Sequence, residues 1–141
     1  MKALKSIMLG LALLVVSTVA NALPNQTTGV LTKEDVLNTY INAVIHGKID
    51  GLENILSKDV QYVITRGEKE YTLDKKRILE SFKPSENVEQ GCTYKTAVMD
   101  ETDKTMVVKL IMKYDTYVRT NLITISMNRS DFKITKIEVE S

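Results

Sequence analysis

The sequence predicts an α+β fold: three helices from the first half of the chain pack on one face of a cone-shaped, curved antiparallel sheet. Three observations predict it. Apolar residues recur at helical spacing only before residue 84, and strand-like alternation dominates after residue 92. The longest alternating stretch, Lys104 to Ser126, also doubles back at Asp115-Thr116. Helices segregated from a run of antiparallel strands make an α+β layer structure. A bent sheet roofed by helices encloses a conical hollow, and such concavities are where small ligands bind.

The N-terminus has Lys2 and Lys5, then an apolar run from Ile7 to Val16, then Ala20-Asn21-Ala22. This is the three-part pattern of a signal peptide. The apolar run falls short of the about 20 residues that a membrane-spanning helix needs. Residues 1–22 are therefore expected to direct export to the periplasm or the cell exterior, with cleavage after Ala22 and no membrane attachment afterwards. Cleavage takes two lysines away and leaves 17 basic against 18 acidic residues, so nothing in the charge favours nucleic acid. Cys92 is the single cysteine. It has no internal disulfide partner, and the residues around it fit a structural thiol.

Residues 23–31, with Pro24 and Gly29, read as a flexible leader. The domain itself spans 32–141. Thr32 is placed to cap a first helix, with Glu34 and Asp35 in its first turn and a stripe through Val36, Leu37, Tyr40, Ile41, Val44 and Ile45. Gly47 stops it. A short second helix, capped by Asp50, buries Leu52, Ile55 and Leu56. Asp59 to Thr65 alternates as a strand, and Lys69 to Leu73 returns after Arg66-Gly67-Glu68 as a short edge strand. Asp74 caps a third helix with Ile78, Leu79 and Phe82 on its apolar side, ended by Pro84.

Four strands complete the domain. Thr93 to Met99 comes first. Met106, Val108, Leu110, Met112 and Tyr114 share the inner face of the second, and Ile123, Ile125 and Met127 continue that face on the third. After Asn128-Arg129-Ser130-Asp131, Phe132 to Val139 forms the last. Its apolar parity changes between Ile134 and Ile137, which predicts a bulge or a twist there.

The segment Tyr40-Ile41-Asn42-Ala43-Val44-Ile45-His46-Gly47-Lys48-Ile49-Asp50-Gly51-Leu52 resembles the first two helices of the nuclear-transport-factor-2-like superfamily. Ile55 to Val60 resembles the way its members begin their first strand, and Phe132 to Ile137 resembles their last. Exported bacterial proteins of the SnoaL-like and lumazine-binding type are the nearest in character. The resemblance implies a cone-shaped α+β barrel that commonly pairs as a homodimer through the outer sheet surface. It implies no single activity, because the superfamily holds isomerases, dehydratases, cyclases and non-catalytic binding modules. The Gly-Asp junction of the family is stretched here to Gly47-Lys48-Ile49-Asp50.

Catalytic relatives place a carboxylate or a His–Asp pair inside the cone, where burial tunes the pKa. In this chain Glu34, Asp35, Asp74, Asp100, Glu101, Asp103 and Asp131 fall at caps and turns. Asp59, read as the start of a strand, and His46, at the end of the first helix, are weak candidates for a general base. One histidine and one cysteine make no zinc site, and no phosphate-binding loop is present. No cofactor is expected.

Tyrosine is the stronger signal. Tyr40, Tyr62, Tyr94 and Tyr114 fall on inward parities in a chain with no Trp and two Phe. They either pack the core with their hydroxyls reaching outward or line a ligand site. Arg119 and Asn121 share the parity of Ile123, and either supply polar specificity at the cone mouth, face a dimer surface or stand in solvent. The first expectation is an exported, non-catalytic domain that binds a small apolar or aromatic ligand through these six residues, as a homodimer. The second is a small isomerase, dehydratase or cyclase using Asp59 or His46. The third is an interaction module that buries Val107, Ile111, Leu122 and Thr124 against a second copy.

Overall fold

A computed structural model of the chain describes residues 30–140. The expected signal peptide and all but the last two residues of the expected leader lie outside them.

Helix α1 spans Lys33–His46. Thr32 and Asp35 form a capping box: the Thr32 hydroxyl accepts from the Asp35 amide at 3.1 Å, and the Asp35 carboxylate accepts from the Thr32 amide at 3.0 Å. Val36, Tyr40, Ile41, Ala43 and Ile45 form its buried side. Gly47 ends the helix in the left-handed region at φ +69°. A Cβ there would lie about 2.5 Å from Ser85 O and Val88 N, so glycine is required twice over, by conformation and by space.

The short helix α2, Leu52–Ile55, is capped by Gly51 without a side-chain bond, not by Asp50. It buries Leu52 and Ile55 as expected. Strand β1, Leu56–Arg66, is longer at both ends than the predicted Asp59 to Thr65. Strand β2, Lys69–Leu73, returns antiparallel to it. Helix α3, Lys75–Phe82, starts at Asp74, whose carboxylate accepts from the Arg77 amide at 3.0 Å. A 3₁₀ turn at Lys83–Ser85 follows.

Strands β3 (Thr93–Glu101), β4 (Thr105–Lys113), β5 (Val118–Asn128) and β6 (Asp131–Glu140) make an antiparallel meander. The six strands form one curved sheet in the order β2-β1-β6-β5-β4-β3. The sheet is mixed, not wholly antiparallel, because β1 runs parallel to β6 with Tyr62 opposite Ile137. The predicted bulge is present. Thr124 pairs with Lys136 and Ile125 with Ile134, which leaves Thr135 as the extra residue on β6.

Strand β4 alternates strictly, with Met106, Val108, Leu110 and Met112 buried between half-buried outward residues. Ile123 and Ile125 extend this face, but Met127, expected to join them, is exposed next to the β5–β6 turn. The helices cover the face formed by β1, β6 and β5, and their apolar sides meet Ile137, Ile134 and Ile123 in a single core. Strand β3 lies at the sheet edge, and every one of its residues is exposed.

Candidate functional site

A cavity of about 160 Å³ opens between the helices and the inner face of the sheet. Ala43 and Val44 of α1, and Ser81 and Phe82 of α3, form its helical wall. The sheet wall is Tyr62, Met112, Tyr114, Arg119 and Asn121, and Ser85 and Gln90 close the side between α3 and β3.

Register places each of these residues. On β5, Arg119 and Asn121 are two apart, so both point to the same face. Arg119 sits opposite Met112, and Asn121 sits between Leu110 of β4 and Val139 of β6. Tyr62 projects from β1 beside Ile137. Tyr114 follows β4 in the turn that its amide closes by donating to the Tyr117 carbonyl at 2.8 Å. The Tyr114 and Tyr117 rings stack at 4.5 Å. The segment carrying Gln90 is anchored to the end of α1, where the Gln90 amide donates to Ile45 O and the Asn87 amide to Gly47 O, both at 2.8 Å. The Tyr114 hydroxyl then donates to Gln90 Oε1 at 2.8 Å, linking this segment to the sheet.

The polar interior is unusual. The Tyr40 hydroxyl donates to Asn121 Oδ1 at 2.6 Å. Asn121 is 2% exposed, and its Nδ2 has no partner. The Nε of Arg119 is likewise buried and unpartnered. Among the described residues Arg119 forms no ion pair, and it carries the one formal charge of the cavity lining. Burial pushes the Tyr40 hydroxyl well above its usual pKa, and the neighbouring Tyr62 adds to the shift. Burial also raises Tyr62, and burial with Cys92 close by raises Tyr114. The Arg119 charge opposes all three shifts. At neutral pH these phenols keep their protons and can act as donors.

Four of the six expected ligand residues meet here: Tyr62, Tyr114, Arg119 and Asn121. Tyr40 stands behind Asn121 as its anchor, edge-on to Phe82 with ring centroids 6.5 Å apart. Tyr94 does not join them. Its parity is inward, opposite Met112, but it is 45% exposed because no helix reaches the β3 edge. Neither candidate base lines the cavity. Asp59 is exposed as the fourth residue of β1, by a surface groove with Lys58, Arg129 and Lys133. Its strand begins three residues earlier than expected, so Asp59 does not mark the cone mouth. The His46 imidazole meets the Glu89 carboxylate at 2.5 Å on the surface, away from the hollow. Cys92 is half-buried against the core.

Sequence reasoning missed Gln90, Ser81 and Ser85. Gln90 sits in a polar stretch with no periodicity, and only its docking on α1 brings it to the cavity.

No protein-family model matches the chain, and no curated protein matches it. Solved structures do. A nuclear-transport-factor-2-like protein of unknown function from Silicibacter pomeroyi is 11% identical with a TM-score of 0.59, covering 75% of this chain and 89% of that one. One from Methylobacillus flagellatus is 14% identical with a TM-score of 0.56, covering 79% and 98%. One from Shewanella baltica is 12% identical with a TM-score of 0.56, covering 75% and 87%. Identities this low speak to architecture alone. With the curved sheet, the helices on its inner face and the hollow between them, they establish that this chain has the nuclear-transport-factor-2-like fold.

Proposed function

We propose that the chain is an exported domain that binds a small ligand with an apolar or aromatic body inside the cone, without catalysing its conversion. The observation that supports this is the cavity of about 160 Å³, walled by Val44, Phe82, Met112 and the rings of Tyr62 and Tyr114. Hollows that combine apolar walls with a few convergent polar groups are typical ligand sites. An isomerase, dehydratase or cyclase built on Asp59 or His46 has less support, since both side chains lie outside that hollow. Export rests on the residue 1–22 pattern. Pairing as a homodimer rests on the outer sheet face, where Val107, Ile111, Leu122 and Thr124 form a half-buried stripe across β4 and β5.

The test is mass spectrometry of small molecules released by denaturing protein purified from its own cells, combined with thermal-shift screening of one-ring compounds. A released or stabilising compound, lost when Ala43→Phe fills the cavity, supports the reading. No released compound and no stabilisation overturn it. N-terminal sequencing of the same material checks cleavage after Ala22. Light scattering checks the dimer, and Leu122→Glu is expected to yield monomers.

A further inference from the structure

We infer that the cone ligand is a small monocarboxylate, a one-ring acid whose carboxylate is held by Arg119 and Asn121. This inference rests on the binding reading above and goes further, by naming the chemistry of the ligand head group.

Three observations carry it. The first is the pair of orphaned donors. Asn121 spends its Oδ1 on Tyr40 and leaves Nδ2 unsatisfied, Arg119 leaves Nε unsatisfied, and both residues line the cavity. Leaving buried donors unpaired is costly, so native structures seldom do it without a functional reason. Both groups donate and neither can accept in this arrangement, so what they lack is an acceptor. A carboxylate meets that need.

The second observation is charge. Arg119 is the one charged residue of the lining, and it has no ion-pair partner among the described residues. A neutral carbonyl would satisfy a donor but leave the half-buried cation uncompensated, whereas a carboxylate does both. The nearby phenols remain protonated and cannot play the part of the anion.

The third is size. A cavity of about 150 Å³ is enough for benzene, and this one is about 160 Å³. That volume suits a single ring, with Phe82, Met112 and Tyr114 among the walls.

The experiment is calorimetric titration of the whole purified chain with benzoate, cyclohexanecarboxylate, benzamide and toluene, at low and high salt. The expected result is that the two acids bind at least about tenfold more tightly than benzamide and toluene. Arg119→Gln is expected to erase that preference while toluene binding persists, which also reports that the variant cavity is intact. Equal or tighter binding of the neutral probes to the wild-type chain overturns the carboxylate assignment and leaves the apolar binding site standing. If none of the four probes binds at millimolar concentration, both the assignment and the binding reading are overturned. The four probes are first compared on the wild-type chain, so the outcome holds even if the variant fails to fold.

Discussion

The Tyr40 hydroxyl of α1 donates to Asn121 Oδ1 of β5 over 2.6 Å, and both side chains are sealed from solvent. This contact joins the first helix to the sheet and also sets the orientation of the amide. With Oδ1 engaged, Nδ2 is left without a partner. Removing the hydroxyl in Tyr40→Phe leaves a buried acceptor without its donor. The expected loss is about 1–3 kcal/mol of folding stability by urea denaturation, together with weaker binding of any cavity ligand as the amide loses its anchor. Stability equal to the wild type would show that the bond contributes nothing net.

Gly47→Ala is expected to be more damaging than its single methyl group suggests. The left-handed backbone alone costs an L-residue about 1–2 kcal/mol. The added Cβ also collides with the backbone of Ser85 and Val88. A total loss of about 2–4 kcal/mol is expected in the same denaturation assay. Because the displaced segment carries Gln90, the Tyr114–Gln90 bond is expected to loosen as well, visible as faster amide exchange at Gln90.

Alkaline pH is expected to destabilise the domain. Burial raises the pKa of Tyr40 and Tyr62 above their ordinary 10.0. In the unfolded chain both phenols ionise near 10, while in the fold they hold their protons to higher pH. The unfolded state therefore binds fewer protons in that window, and folding stability falls as pH rises. The stabilisation is fully present below about pH 10 and declines above it, by about 1.4 kcal/mol per pH unit for each phenol. Denaturation curves between pH 8 and 12 measure the slope. Tyr62→Phe is expected to make it shallower, and an unchanged slope would mean that other groups set the alkaline limit.

Two aromatic and aliphatic truncations separate parity from burial. Ile123→Ala opens a hole in the centre of the core and is expected to cost about 2–5 kcal/mol. Tyr94→Ala removes an exposed ring from the edge strand and is expected to change stability by about 0.5 kcal/mol or less. Equal effects at the two positions would mean that something covers the β3 edge in solution.

Much of the architecture was legible because it follows from short-range chemistry. The Thr32 cap, the stop at Gly47, the Asp74 cap and the alternation of β4 each depend on residues within a few positions of one another. The β6 bulge was legible for the same reason, as a change of parity between Ile134 and Ile137. What escaped depends on distant neighbours. Period-two spacing tells which residues share a face and says nothing about whether another layer lies over it, which is why Tyr62 and Tyr94 looked alike and ended in different environments. The parallel pairing of β1 with β6 joins segments some 75 residues apart, and no local pattern encodes it. The candidate site was legible to the extent that parity and burial coincide on β5. Its Gln90 side was not, since a loop residue acquires its place only when the loop docks.

That parallel pairing has a consequence for how the molecule is made. Within the sheet, the β1–β2 hairpin pairs with the meander only through β6, the last of the six strands in chain order. A chain cut short at residue 130 would not merely lack an edge: it would be left as two disconnected ribbons, one of two strands and one of three. Assembly of the whole sheet must wait for β6, so during synthesis the polypeptide has no finished core to shelter its apolar residues until residues 131–140 have been added.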